Sequence, residues 1–142
     1  MKDKLDELNP WFRHKIEHGV LPDLRGKGWE PVIAEAWRDP EIQLLKFRQK
    51  RSKVMWGFHC ATAQDGKADA LACDIVDHRW FWRMPLVKRL LFRKHLMSSC
   101  KAHGLTSGAQ WVKSFPPYGD WAHVEAAGIT IAEAKAGERP VA

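Results

Sequence analysis

One stretch, Gly119-Asp120-Trp121-Ala122-His123-Val124-Glu125, constrains this chain more than any other. The run Phe115-Pro116-Pro117-Tyr118-Gly119 before it reads as a turn, and Trp121 to Ala126 alternates as a half-buried strand does. On such a strand Trp121, His123 and Glu125 point to one face, and Asp120, freed by the turn, bends toward the same place. An acid three residues before a histidine sets a proton acceptor beside a candidate metal ligand. A lone strand histidine is more often a core residue, so a metal site needs further ligands from upstream.

The upstream chain reads as alternating helices and strands. Asn9-Pro10 caps a helix over Trp11 to His18, with Gly19 as its stop; His14 and His18 lie on its solvated face. After the turn Arg25-Gly26-Lys27-Gly28, residues 29 to 38 read as a strand that delivers Arg38 to its far end. Asp39-Pro40 repeats the cap signal for a helix over about 40 to 50, with Ile42, Leu44, Leu45 and Phe47 as its apolar stripe and basic residues opposite. The apolar run Ala70 to Asp77 contains Asp74, a carboxylate costly to bury unless it is paired or coordinated to a cation. Asp77 and His78 read as loop residues. Pro85 to His103 is the longest helix, stopped by Gly104, with its lysines and arginines at 88, 89, 93 and 94, and His95 and His103, on a solvated face. Thr130-x-x-Glu133 is a capping box, and Gly137 to Ala142 reads as a frayed tail.

The 142 residues fit one domain spanning 1–142. No run is apolar and long enough for a signal peptide or a membrane span, which predicts cytoplasmic synthesis. Cys60, Cys73 and Cys100 match neither a zinc ribbon nor a disulfide framework, and reduced thiols are expected. A net charge of +6 favours an anionic partner. The basic residues follow no nucleic-acid-binding motif, so nucleic acid is not the expected partner.

Taken together, Glu35-Ala36-Trp37-Arg38 with Gln43, Arg51-Ser52-Lys53-Val54, His59, Gly66 through Ala72-Cys73-Asp74-Ile75, and Asp120 to Glu125 resemble an enzyme family. It is that of the zinc D-alanyl-D-alanine carboxypeptidases and L-alanyl-D-glutamate endopeptidases, within the lysostaphin, D-Ala-D-Ala peptidase and Hedgehog superfamily. The resemblance covers about residues 20 to 127. The family's Ser-x-His-x-x-Gly-x-Ala-x-Asp run is altered here: Gly57 stands at the serine position, and Cys60 to Asp69 reads as a loop inserted between His59 and Asp74. Asp65 and Asp69 are therefore alternatives to Asp74, which the apolar context of Ala72-x-Asp74-Ile75 favours.

The resemblance implies an α+β fold with a small, mainly antiparallel sheet carrying the zinc site and helices packed on its outer side. It implies His59, Asp74 and His123 as ligands of Zn2+, Asp120 as catalytic base and Arg38 as the residue that steadies the substrate carbonyl; Glu125 is expected to orient His123. The implied function is hydrolysis of an amide bond in peptidoglycan stem peptides, as an L-Ala-D-Glu endopeptidase of phage or prophage endolysin type acting on the wall after release. The alternatives are a D-Ala-D-Ala carboxypeptidase or dipeptidase and a non-catalytic metal-binding domain. A monomer with no membrane partner is expected.

Overall fold

The computed structural model describes residues 4–52 and 55–140. Lys53 and Val54 of the resemblance lie outside the described residues, as do Met1, Lys2 and Asp3 at the start and Val141 and Ala142 at the end. The fold is α+β. Four strands, β1 (Pro31–Glu35), β2 (Ala72–Asp77), β3 (Leu105–Ser107) and β4 (His123–Ala126), form one sheet in the order β1-β2-β4-β3, and every neighbouring pair is antiparallel.

Side chains alternate across β2. Cys73 and Ile75 turn to one face and join Val124 of β4 in the apolar core, while Asp74 and His123, directly opposite each other in the ladder, face the other way. The core face is covered by helices. Phe12 of α1 (Pro10–Lys15), Leu24 of α2 (Leu21–Gly26) and Phe92 and Leu96 of α4 (Leu86–Ala102) are fully buried in it. Burying each such side chain contributes about 1.5–3 kcal/mol, so the core supports the rigid sheet on which the polar face is built. β2 is flanked by β1 and β4, and all six of its residues are buried.

Several local expectations hold and several do not. Asn9 caps α1 through its side-chain oxygen, but Gly19 does not stop the helix: a π turn over Ile16–Val20 carries it into α2. A Cβ on Gly19 would lie 2.8 Å from the His103 ring, so this glycine serves close packing. β1 is shorter than the expected strand, and α3 (Pro40–Arg48) shows a reversed pattern: Ile42, Leu45 and Phe47 are exposed and Gln43 is buried.

Asp77 is no loop residue. It ends β2 fully buried, where its carboxylate accepts from the backbone N–H of Glu30 and from the Arg79 guanidinium. Neither are the charges on α4 uniformly solvated. Arg93 donates to the carbonyls of Tyr118 and Ala109, and Arg89 to that of Met84. His95 accepts from the indole of Trp29, and His103 bonds Asp23. Within the expected tail Arg139 is held: it pairs with Asp69 at 2.6 Å, just after α5 (Ile131–Lys135) and its Thr130–Glu133 capping box.

Candidate metal centre

Three chain segments deliver one polar atom each to a common point. His59 sits in a 3-10 turn, Phe58–Cys60, whose backbone also holds Arg38 through the Arg38 N–H donated to the His59 carbonyl. Its Nδ1 lies 2.6 Å from the Ala36 carbonyl oxygen, which can only accept; the proton therefore sits on Nδ1, and Nε2 is left with its lone pair toward the site. His123 is fixed the opposite way round. Its Nε2 donates to the Glu125 carboxylate at 2.8 Å, one strand alternation away, and Nδ1 faces inward. Asp74 reaches the same point from the middle of β2, opposite His123 on one side and, across a bulge between Ile33 and Glu35, opposite Glu35 on the other.

The three inward atoms are closely spaced: His59 Nε2 to His123 Nδ1 is 3.3 Å, His123 Nδ1 to Asp74 Oδ1 is 3.4 Å, and His59 Nε2 to Asp74 Oδ1 is 3.8 Å. Ligands held about 2.0–2.2 Å from a tetrahedral zinc are about 3.3–3.6 Å apart, so this spacing fits such an ion. Asp74 Oδ1 is buried and makes no hydrogen bond, an arrangement that is costly unless a cation meets it. Two imidazoles and a carboxylate also form the donor set that suits zinc and leaves an open fourth position. The residues fit a metal ion.

The carboxylates of the cluster call for positive charge at the point where the two imidazoles meet. Burial alone would raise the Asp74 carboxyl, but the imidazoles of His123 and His59 outweigh it and hold the group well below the usual carboxylate range. For His123 burial favours the neutral ring, and the carboxylates of Asp74 and Glu125 overcome it and lift the pKa to about 9, so a proton on Nδ1 and a metal ion compete for the same position.

Asp120 stands beside this cluster, its Oδ2 3.9 Å from His123 Nδ1. Burial pushes its carboxyl up from the ordinary value, which makes it a better proton acceptor than a solvated aspartate. The loop that carries it is tightly seated. Asp120 donates its N–H to the Gly108 carbonyl at 2.9 Å, and Gly119 has φ 72 with its α-carbon turned against the backbone of Ala109 and Gly108, where no Cβ fits. Trp121 departs from the expected face: it precedes β4 in a turn and packs on Phe92 and Trp82.

Arg38 lines the same cleft, which encloses about 560 Å3 and is also bordered by Trp111, Phe115 and Ile131. Its guanidinium donates at 2.7 Å to Gln43 and at 2.7 Å to Glu35, and Gln43 in turn donates to Ser52 at 2.8 Å. In the sequence Gln43 and Ser52 belong to the resemblance without a role of their own. Gln43 interrupts the apolar stripe of α3, and its burial there is visible in the structure alone. Of the alternatives to Asp74, Asp69 is engaged by Arg139 and Asn9, and Asp65 accepts from the Lys67 N–H in an exposed turn. His14 and His18 lie exposed with tilted rings 4.9 Å apart, and neither belongs to the cluster.

No protein-family model matches the chain, and no curated protein sequence matches it either. Solved structures do. The chain is similar to the L-Ala D-Glu endopeptidase ChiX of Serratia marcescens, with a TM-score of 0.58 at 14% identity, over 87% of this chain and 84% of that one. It is also similar to the LD-carboxypeptidase LdcB, with a TM-score of 0.52 at 15% identity, over 96% of this chain and 73% of that one. At such identities the likeness is one of fold.

Proposed function

We propose that this chain is a zinc-dependent peptidase that hydrolyses an amide bond in peptidoglycan stem peptides, an L-Ala-D-Glu endopeptidase in the manner of an endolysin. The observation that carries the reading is the convergence of His59 Nε2, His123 Nδ1 and Asp74 Oδ1 within 3.8 Å of one another, with the Asp120 carboxylate alongside. The two structural neighbours, each named as a peptidase of this wall chemistry, support the substrate class.

In this reading His59, Asp74 and His123 hold the ion. Bound zinc supplies a Lewis acid that brings the pKa of water toward about 7 and polarises a carbonyl. Asp120 takes the proton of the attacking water and returns it to the leaving amine, since it lies beside His123 and is partly withdrawn from solvent. Arg38 offers a fixed guanidinium to the carbonyl oxygen as negative charge grows there; Gln43 and Glu35 hold it in place before substrate arrives. Glu125 keeps the His123 ring in one orientation and one tautomer.

Carboxypeptidase action on the same stem peptides is a second reading, favoured by the likeness to LdcB, and it uses the same residues. Metal content separates both from a structural role for the histidines. The expected result is one zinc per chain, lost in His59→Ala and in His123→Ala, together with release of wall fragments by the zinc-loaded protein. Binding of no transition metal would overturn both readings.

A further inference from the structure

The net charge of +6 is not spread along the chain. From His78 to Gly119 there are eight lysines and arginines and no aspartate or glutamate, whereas the remaining residues carry fifteen cations against seventeen acids. The same segment concentrates exposed apolar surface. Of the thirteen large apolar side chains exposed among the described residues, six lie between Phe81 and Leu91: Phe81, Trp82, Leu86, Val87, Leu90 and Leu91.

The first half of α4 therefore has two apolar faces. Phe92, Leu96 and Cys100 form the buried one. Leu86, Val87, Leu90 and Leu91, at i, i+1, i+4 and i+5, form a second stripe, which at about 3.6 residues per turn lies on the opposite side of the helix. Its side chains are 40% to 80% exposed, Val87 the most at 80%. A helix apolar on both sides calls for an occupant on its outer face. Just before it Phe81 holds left-handed backbone, φ 54, a conformation uncommon for a bulky side chain, within a 3-10 turn that leaves Phe81 and Trp82 exposed. The stripe is bordered by cations: Arg83, Lys88 and Lys94 are exposed and have no acidic partner among the described residues, and Lys88 lies 5.6 Å from the Trp80 ring.

The chemistry of this face narrows its occupant. An anionic polymer would match the cations but leave six apolar side chains in water. A second copy would bring two acid-free, positively charged segments together. An anionic lipid surface meets both demands, with hydrocarbon for the leucines and valine, phosphate for the cations, and the headgroup boundary for the indoles. We infer that Phe81 to Leu91 form an interfacial docking face through which the protein lies on an anionic bilayer. No helix among the described residues is long and apolar enough to cross a bilayer, but lying on its surface requires none, and here the structure departs from the expectation of no membrane partner. The inference stands apart from the chemistry at His59, Asp74 and His123.

Vesicle flotation tests it, with full-length protein mixed with phosphatidylcholine vesicles with and without phosphatidylglycerol. Binding is expected only to the phosphatidylglycerol vesicles, weakened but not abolished by salt. Val87→Asp with Leu91→Asp should lower it about tenfold or more while the circular dichroism spectrum is unchanged. A second measurement guards against misfolding: Val87→Cys, labelled with an environment-sensitive dye while the buried Cys60, Cys73 and Cys100 stay unreacted, should brighten on those vesicles. The inference is overturned if the wild type binds neither vesicle, if binding persists in the double variant, if the dye reports water at bound protein, or if the double variant converts a dimer to a monomer.

Discussion

Asp74 makes a sharp electrostatic demand, because a buried carboxylate with one oxygen lacking any hydrogen bond is tolerated only where positive charge faces it. That demand was legible in the sequence, where Asp74 interrupts an apolar strand; the choice over Asp65 and Asp69 was not, since all three lie within reach of His59 along the chain. Cross-strand register favours Asp74 by setting it opposite His123. Gln43 illustrates what pattern reading misses, because a polar residue inside an apolar stripe has no period of its own. Gln43→Leu removes one acceptor of Arg38 and the donor to Ser52. It should cost about 1–3 kcal/mol in urea unfolding and reduce turnover, leaving metal content at the wild-type level. A variant that loses metal as well would contradict the separation of the Arg38 network from the ligands.

At the scale of elements, α4 reaches across to the loop that carries Asp120. Arg93 bonds the carbonyls of Tyr118 and Ala109, and Gly119 follows with its α-carbon pressed on Ala109. Arg93→Met should therefore lower the rate of wall-fragment release without displacing metal, whereas an unchanged rate would show that the loop is set by its own backbone. The π turn joining α1 to α2 is equally a matter of packing. Gly19→Ala forces a methyl against the His103 ring, and a loss of about 1–3 kcal/mol is expected by thermal or urea unfolding. No sequence signal separates such a glycine from a helix stop, because both are a glycine at the end of an apolar period. The same limit hid the outward stripe of α4: leucines at helical spacing look alike whether they face a core or the surroundings. Asp77, at the end of β2, gives a pH test. Burial would raise its carboxyl, but Arg79 and the backbone N–H groups of Glu30 and Arg79 bring it down to about 2, below the ordinary 3.8. Its stabilisation is thus full above the ordinary value and lost as pH falls through about 2. Asp77→Asn should show a smaller drop in stability between about pH 4 and pH 2 than the wild type, and identical acid profiles would show that Asp77 does not govern this limb.

The molecule as a whole places its chemistry and its charge on different elements. Sheet register and two turns assemble the His59, Asp74 and His123 cluster, while the basic excess belongs to the segment from His78 to Gly119. Encounter with an anionic wall should therefore weaken as salt rises, with little change in the rate on small soluble stem peptides, as measured by fragment release at increasing ionic strength. The α+β class and the strand around His123 were readable from alternation, turns and caps; strand order was not, because it depends on contacts between segments far apart in sequence. The central claim, a metal-dependent peptidase with Asp120 as its base, is tested most directly by mass spectrometry of the fragments that zinc-loaded protein releases from purified peptidoglycan, with Asp120→Ala alongside. Fragments bearing a new D-Glu amino terminus are expected, reduced about a hundredfold or more in the variant, which keeps its zinc. Equal release by wild type and variant, or none from either while zinc is bound, would contradict it.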